Sequence, residues 1–281
     1  MQRQKRALAV HDISCLGKCS LTAALPILSA AGVECVCLPT AVLSTHTGGF
    51  TGYTFRDLTD DILPIAEHWK RLELHFDAIY TGYLGSQTQI DRVLRLFEMF
   101  SDEDTLRLVD PVMADHGELY SGFAPDFPKR MRRLCAAADV IVPNVTEAAL
   151  LLGWPYREGP LERMYVEDML AELAALGPGR VVLTGVCPDE RRLGAVAWDG
   201  GRIEYAFSER IEGQYPGSGD VWASAFLSGL LAGRGVDGAC RIACDFTAAA
   251  VALTRDSPAD RRYGLRFESA LGQLMHSLDI L

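Results

Sequence analysis

The segment Gly217-Ser218-Gly219-Asp220 places two glycines, a hydroxyl and a carboxylate directly before an apolar stretch with helical character. The first amides of a helix have no partner within it and lie at the positive end of the helix dipole, so this turn could hold phosphate charge. Glycine allows a close approach that a side chain would block. Asp220 could take the proton of an attacking hydroxyl, or it could simply cap the helix. The segment alone leaves both roles open.

Four other polar segments precede this turn along the chain. They are Ser44-Thr45-His46-Thr47-Gly48, Tyr80-Thr81-Gly82-Tyr83, Asp110-Pro111-Val112-Met113-Ala114-Asp115 and Asn144-Val145-Thr146-Glu147. Each also has a simpler structural interpretation. Asp110 could end a strand before proline, and His46 could be a solvated loop residue. Asn144 and Glu147 have the spacing of a helix capping box.

The elements that must position these segments alternate between short apolar runs and longer helical patterns. That alternation predicts a parallel sheet covered by helices. We expect strands at 7–11, 33–38, 78–81, 106–109, 140–142 and 181–184, and helices at 20–31, 57–72, 86–100, 127–137, 144–152 and 163–176. A hairpin is expected at 193–198 and 202–207, followed by helices at about 219–233, 237–254 and 266–279. Residues 43–55 suit a flap or small β excursion, and 114–123 suit a loop that closes over a ligand.

Composition limits the classes of function. The chain has 281 residues, 49% of them hydrophobic, which is enough for one large core and suggests a single domain over 1–281. A net charge of -10 argues against a nucleic-acid partner. We see no signal peptide and no apolar stretch near the roughly 20 residues that span a bilayer, so we expect a cytoplasmic protein without a membrane contact. The eight cysteines fit reduced thiols, because their spacing matches no zinc pattern well.

The Gly-Ser-Gly-Asp turn resembles the signature of ribokinase-like kinases, in which the position of Ser218 usually carries Thr. With the four ordered segments, which fall between about residues 7 and 255, the chain is similar to the pyridoxal kinase branch. The resemblance implies a three-layer α/β/α fold with a mostly parallel sheet and a small flap or lid. It also implies ATP-dependent phosphorylation of the 5'-hydroxymethyl group of a B6 vitamer (pyridoxal, pyridoxamine or pyridoxine) and a homodimer.

The resemblance also assigns roles to residues. It implies Asp220 as the catalytic base, with the amides of Gly217, Ser218 and Gly219 as an anion hole. The vitamer would contact Asp12, His46, Thr47 and Tyr83. ATP would contact Asp110, Asp115, Tyr120, Asn144, Glu147, Thr184, Gly217 and Gly219. Mg²⁺ would be held by Asp110, Asn144 and Glu147, partly through water. Without the resemblance, Tyr83 and Tyr120 are packing aromatics, and Thr184 is equally well a buried, satisfied hydroxyl.

Three positions depart from the pattern of that branch. Ala114 stands where Gly is usual. Asp12 stands where Ser commonly faces the pyridine ring, and a carboxylate would favour a cationic or hydrogen-bond-donating group, so we hypothesise a shift towards pyridoxamine. Val142 stands where a Thr often lies near a monovalent cation, which puts dependence on K⁺ in question.

Two other functions fit the same sequence. A hydroxymethylpyrimidine kinase has the same fold and also acts on a small heteroaromatic alcohol, although His46, Thr47 and Tyr83 favour a pyridoxal-type substrate. A non-catalytic vitamin-binding relative would keep the fold without turnover, and the intact turn with Asp220 argues against it. Sugar and nucleoside kinases usually carry a larger lid with more polar residues.

Overall fold

The computed structural model describes residues 3–281 and contains a large sheet with helices on both faces. The strands are β1 (Arg6–Leu16), β2 (Glu34–Thr45), β3 (Phe55–Asp57), β4 (Ala78–Thr81), β5 (Leu106–Val109), β6 (Ala114–Asp115), β7 (Glu118–Leu119), β8 (Val140–Ile141), β9 (Arg180–Asp189), β10 (Arg192–Asp199) and β11 (Arg202–Glu209). The helices are α1 (Leu21–Ala30), α2 (Thr59–Arg71), α3 (Gln87–Phe100), α4 (Phe127–Ala136), α5 (Val145–Leu152), α6 (Arg163–Ala174), α7 (Ser218–Leu231), α8 (Val236–Arg255) and α9 (Leu271–Ser277). Short 3-10 helices span Arg261–Tyr263 and Phe267–Ala270.

Nine of the strands within residues 3–281 form one sheet in the order β11-β10-β9-β8-β5-β4-β1-β2-β3. The run from β9 to β2 is parallel, and β3, β10 and β11 pair antiparallel at the two sides. Helices α2 to α6 cover one face, and α1, α7, α8 and α9 cover the other. Because both faces are covered, a central strand such as β4 is buried along its whole length. The expected three-layer α/β/α fold is confirmed.

Helix α7 positions the turn that begins at Gly217. Its residues from Val221 to Gly229 are all buried, because the helix lies between the sheet and α8. Gly229 allows close packing of the two helices, since a Cβ there would lie 2.9 Å from the Cα of Ala239. Phe226 is fully buried in this layer, and its truncation to Ala is expected to cost about 3–5 kcal/mol. The start of α7 is therefore held by a rigid part of the core.

The parallel strands bring the polar segments to one edge of the sheet. The carboxyl ends of β4, β5, β8 and β9 lie side by side, and a ligand site is expected at that edge of an open α/β sheet. Thr81 ends β4, Asp110 follows β5, Asn144 follows β8, and Thr184 lies in β9 opposite Asn144.

The capping and hairpin predictions are confirmed. The Ser86 hydroxyl accepts a hydrogen bond from the Gln89 amide at 3.2 Å at the start of α3. Asn144 and Glu147 form a complete capping box at the start of α5. Strands β10 and β11 form the predicted hairpin, whose last pair is Asp199 with Arg202.

The first two strands are longer than predicted. The sequence indicated a strand ending at His11, but β1 continues to Leu16 and pairs with β2 as far as Thr45. The prediction was wrong because it treated Asp12 as a polar strand end, whereas its side chain is buried within the strand at a shift of the β1–β2 register. The flap over 43–55 therefore begins at the end of β2 and ends at the start of β3, and residues 46–54 between them belong to no strand.

Two helix boundaries also differ. The helix predicted from Asp57 begins at Thr59, because Asp57 lies in β3 and its carboxylate accepts the Thr59 amide at 2.7 Å. The helix predicted at 266–279 is divided into a 3-10 helix and α9.

The described part of the chain contains no helix with the length and apolar character needed to cross a bilayer. All eight cysteines are free thiols, as predicted. Within residues 3–281 there is also no group of three or more His, Cys, Asp and Glu side chains suited to bind a metal ion.

Candidate active site

Asp220 lies in the first turn of α7 and is partly exposed. Burial raises the pKa of its carboxyl to about 7, the backbone of Ser20 opposes this through a hydrogen bond, and the charge of Asp12 adds to it. A carboxylate with a pKa near neutrality can accept and release a proton under working conditions, as a general base requires. The N-cap position of α7 is Gly217, which has no side chain, and within the described residues the Asp220 carboxylate accepts no hydrogen bond from an amide of this helix.

The turn before Asp220 leaves several donors available. The Ser218 amide donates to the Tyr215 carbonyl at 3.2 Å. Within the described residues, the amides of Gly217, Gly219 and Asp220 make no hydrogen bond. Ser218 is therefore occupied, whereas three neighbouring N–H groups remain free to bind an anion at the positive end of the helix.

Asp12 is a second carboxylate near Asp220, and it is the more deeply buried of the two. Its side chain is 5% exposed and accepts a hydrogen bond from the Ser14 hydroxyl at 3.2 Å. Burial raises the pKa of Asp12, while hydrogen bonds from Ser20 and Ser14 partly offset that increase. Because Asp12 in turn raises the pKa of Asp220, the two carboxyl groups lie within electrostatic reach of each other.

Ser20 links these two carboxyl groups and was missed by the sequence analysis. Its side chain lowers the pKa of the Asp12 carboxyl, and its backbone lowers that of Asp220, because each favours the ionised form. It precedes α1 with a φ of 55° and makes no side-chain cap bond. A positive φ in a non-glycine residue is uncommon and is often found at functional sites. No pattern in the sequence marks this residue, because a serine before a helix normally predicts an ordinary cap.

Both ring nitrogens of His46 in the flap form hydrogen bonds within the protein. Its Nε2 lies 2.5 Å from the Arg262 carbonyl oxygen, and its Nδ1 accepts the Gly48 amide at 3.1 Å. The ring is 6% exposed and packs on Gly17, where a Cβ would come within 2.3 Å of it. The simple interpretation of His46 as a solvated loop residue is wrong. Its neighbour Thr47 is exposed.

Tyr83 lies close to Asp12 and the flap. Burial raises the pKa of its hydroxyl to about 12, and the nearby groups Asp12, Tyr53 and Asp57 add to this. Its ring also packs on Phe123, with the two centroids 5.5 Å apart. Tyr83 therefore contacts the loop over 114–123 and lies near Asp12.

Asp110 and Glu147 bring two more acidic groups to the same edge. Asp110 is 7% exposed, and its carboxylate has no hydrogen-bond partner within the described residues. Burial and the charges of Glu147 and Asp220 raise its pKa well above the usual range. Glu147 is bound by backbone amides of Met113 (3.1 Å) and Asn144 (2.9 Å), although burial still raises its pKa to about 8. Asp110 is thus the acid that remains free to bind a cation.

The oxygen and the nitrogen of the Asn144 side-chain amide both form hydrogen bonds within the protein. Its Oδ1 accepts the Glu147 amide, and its Nδ2 donates to the Ala114 carbonyl, both at 2.9 Å. Thr184 is similarly engaged, because its amide and hydroxyl both donate to the Pro143 carbonyl, at 2.9 and 3.3 Å. Val142 is buried and carries no side-chain oxygen for a cation.

The loop over 114–123 contains the small hairpin of β6 and β7. Asp115 is exposed and accepts the His116 amide at 2.9 Å. The Tyr120 amide donates to the Met113 carbonyl at 2.9 Å. The Tyr120 side chain is 38% exposed, and burial of its hydroxyl together with the charges of Glu147, Asp115, Asp110 and Asp220 raises the pKa of that group.

A sequence model of the family described as phosphomethylpyrimidine kinase matches residues 20–264. The chain belongs to this family. The match covers most of the described residues, from the start of α1 to the segment after α8. The expected ribokinase-like fold agrees with this assignment.

Individual relatives are similar over almost the whole chain. This phosphomethylpyrimidine kinase family member is 30% identical to the pyridoxal kinase of Rubrobacter xylanophilus, over 82% of its own length and 81% of the relative's. A Bacteroides thetaiotaomicron structure named for phosphomethylpyrimidine kinase, in a crystal form with pyridoxal, has a TM-score of 0.92 and 38% identity, covering 97% of this chain and 96% of that one. The pyridoxal kinase of Lactobacillus plantarum has a TM-score of 0.88 and 34% identity, covering 98% of both chains.

Proposed function

We propose that this protein transfers the γ-phosphoryl group of ATP to the 5'-hydroxymethyl group of a B6 vitamer. The observation that carries the proposal is the start of α7, where three unpaired amides stand beside a carboxyl group whose pKa is about 7. Phosphoryl transfer needs positioned reactants, a proton acceptor and stabilised charge, and this turn can supply the last two. The names of the similar pyridoxal kinases and the pyridoxal in the Bacteroides crystal form support the choice of acceptor.

The proposed reaction uses Asp220 as the general base. The pyridine ring lies between the flap at His46 and Thr47 and the side chains of Asp12 and Tyr83, with its hydroxymethyl oxygen directed at Asp220. Asp220 accepts the hydroxyl proton while that oxygen forms a bond to the γ-phosphorus of ATP. The bond from the γ-phosphorus to the bridging oxygen breaks, and ADP leaves.

Developing charge on the transferred group is stabilised by the amides of Gly217, Gly219 and Asp220. These donors belong to the first turn of a buried helix, so they need no rearrangement during the reaction. The Ser218 amide contributes less, because it is already bonded to Tyr215. This reassigns one member of the anion hole that the sequence predicted.

The acidic edge fits a divalent cation such as Mg²⁺. Asp110 offers a carboxylate without a protein partner within the described residues, and its pKa is raised by burial and by the charges of Glu147 and Asp220, which a cation would offset. Magnesium is commonly bound through one or two carboxylates together with substrate phosphates and water. Asp110 would bind directly, and Asn144 and Glu147, which are engaged by the backbone, would act through water. A bound cation would neutralise triphosphate charge.

The nucleotide is proposed to lie along the loop over 114–123. Tyr120 and Asp115 belong to this loop, and Thr184 lies next to Asn144 at the end of the sheet. Closure of the loop over the triphosphate would exclude water from the γ-phosphate and limit hydrolysis. The proposal also includes a cytoplasmic location and a homodimer, and the mass of the protein in solution tests the dimer.

A hydroxymethylpyrimidine kinase is the second candidate, because the family description names a pyrimidine substrate. The deciding experiment compares kcat/KM for pyridoxal, pyridoxamine, pyridoxine and hydroxymethylpyrimidine with ATP and Mg²⁺. We expect a B6 vitamer to give the highest value. A higher value for hydroxymethylpyrimidine would select the second candidate, and binding without turnover of any alcohol would indicate a non-catalytic relative.

A further inference from the structure

The segment Asp260–Gly264, called here the strap, follows α8 and contains the 3-10 helix Arg261–Tyr263. It contributes none of the proposed catalytic groups. Nevertheless it contacts the flap at 46–50, the loop at 17–20 and the loop at 213–215 before the anion-hole turn. These three parts are distant in sequence and all border the proposed site.

Two hydrogen bonds, each between a side chain and a backbone carbonyl, join the strap to the flap. Because Nδ1 of His46 accepts the Gly48 amide, its Nε2 carries the proton and donates to the Arg262 carbonyl oxygen, 2.5 Å away. The guanidinium of Arg262 also donates to the Gly49 carbonyl at 3.3 Å. His46 is thereby fixed in one tautomer and one orientation.

The aromatic ring of Phe50 adds to the contact between the flap and the strap. Phe50 of the flap lies with its ring centroid 5.0 Å from that of His46 and 6.0 Å from that of Tyr263, on which it stacks. The Arg262 guanidinium lies 5.3 Å from the Phe50 centroid, within the range of a cation–π interaction. The flap is therefore packed against the strap by side chains as well as by backbone.

The other side of the strap contacts the elements that carry the anion hole. The Lys18 amide donates to the Tyr263 carbonyl at 3.1 Å, and a Cβ at Gly264 would come within 2.8 Å of the Lys18 nitrogen. The Arg261 guanidinium lies 5.3 Å from the ring centroid of Tyr215, whose carbonyl accepts the Ser218 amide. The strap thus packs against the loop at 17–20 and the loop at 213–215, which both adjoin the anion-hole turn.

Asp260 fixes the conformation of the strap through hydrogen bonds from Arg262. Its carboxylate accepts the Arg262 amide at 2.9 Å, and its Oδ2 accepts Nε and Nη2 of the same arginine at 2.9 and 2.6 Å. This paired geometry restricts the long Arg262 side chain. The guanidinium is then held in place over the flap.

We propose that the strap is a positioning element that couples the substrate flap to the anion-hole turn, with Arg262 holding the flap and Arg261 holding the turn. Its catalytic consequence rests on the proposed kinase function, whereas its effect on the flap does not. Neither arginine is a catalytic residue. Each acts through the residues it contacts.

The kinetic test separates the two arginines. Arg262→Ala should raise the KM for the vitamer about tenfold and leave the KM for ATP unchanged, because only the flap loses a contact. Arg262→Lys keeps a cation over Phe50 but loses the paired bond to Asp260, so its KM should be intermediate. Arg261→Ala should lower kcat by about threefold to tenfold without changing the vitamer KM.

Arg202→Ala is the matched control, because Arg202 also forms an exposed ion pair, with Glu204 at 2.8 Å, in a hairpin away from the strap. The KM for the vitamer and the kcat of this control should match those of wild type. Equal effects of Arg262→Ala on both substrates, or no effect at all, would overturn the proposal.

A measurement without substrate distinguishes failure of the strap from failure of the kinase assignment. Amide hydrogen exchange over residues 46–52 should be faster in Arg262→Ala than in wild type, and unchanged in Arg202→Ala. Unchanged exchange in Arg262→Ala would overturn the proposal that the strap holds the flap, even if wild type phosphorylates a vitamer. Faster exchange would support it even if the substrate proves to be another alcohol.

Discussion

The Cα of Gly217 packs directly on the carbonyl oxygen of Lys18, so that a Cβ on Gly217 would lie 2.2 Å from that oxygen. Gly217 also has a φ of 80°, a conformation that side-chain-bearing residues rarely adopt. The turn that carries the proposed anion hole is thus fitted against the loop after β1, which also supplies Ser20.

Gly217→Ala is predicted to disrupt this turn, because the new Cβ would force Gly217 and Lys18 apart. We expect a lower Tm and loss of most activity. Gly233→Ala is the control for strain alone, since Gly233 has a φ of 82° but no atom within 4 Å of a Cβ. A Gly217→Ala protein no less stable than Gly233→Ala would contradict the close packing.

Gly219→Ala separates folding from anion binding. A Cβ at Gly219 would meet no atom of the protein within 4 Å, and the φ at this position is not positive, so the variant should keep the Tm of wild type. If the space beside Gly219 receives the transferred phosphoryl group, kcat should nevertheless fall about tenfold or more. Full activity would show that this space is not used by the reaction.

The pH dependence of kcat/KM should report Asp220. Because burial raises its pKa to about 7, the base is protonated at lower pH, and kcat/KM should rise through pH 7 and level off above it. The measurement is a pH profile with subsaturating vitamer and saturating ATP. A profile that is flat between pH 6 and 8 would be inconsistent with this assignment.

Asp220→Asn should change stability in a pH-dependent way. A carboxyl whose pKa is raised on folding favours the folded state at low pH, and this contribution is lost as pH rises from the unfolded value of 3.8 through the folded value of about 7. Asparagine cannot ionise and avoids that loss. We expect a Tm higher than wild type by about 2 °C or more at pH 8. The difference should shrink towards pH 5, and a constant difference would contradict the raised pKa.

Asp12 is predicted to influence the choice of vitamer. A buried carboxylate favours the amine of pyridoxamine over the aldehyde of pyridoxal, so Asp12→Ser should shift the ratio of their kcat/KM values about tenfold towards pyridoxal. Ser14→Ala, which removes only a hydrogen-bond donor to Asp12, is the control and should change the ratio less. An unchanged ratio in Asp12→Ser would defeat the hypothesis.

The parts of this structure that local sequence determines were predictable. The alternation of elements predicted a parallel sheet covered by helices, and the capping box at Asn144 and the hairpin turn at Asp199 have short-range signals. The predicted strand end at His11 was wrong, because Asp12 is buried by residues distant in sequence. A polar residue is compatible with a strand interior when tertiary contacts satisfy it.

Much of the candidate site depends on backbone contacts that leave no pattern in the sequence. The positive φ of Ser20, the packing of Gly217 on Lys18 and the contact between His46 and Arg262 all join separate segments. Side-chain type and spacing marked Asp220 as a candidate for the catalytic base or for a helix cap. They could not show that the Ser218 amide is already bonded to Tyr215.

The role of Asp220 as general base is tested most directly by a single-turnover measurement of phosphoryl transfer from ATP to the preferred vitamer by wild type, Asp220→Ala and Asp220→Asn. With both substrates bound, each variant should transfer the group at least about a hundred times more slowly than wild type. Transfer by the variants at a rate close to that of wild type would contradict this role.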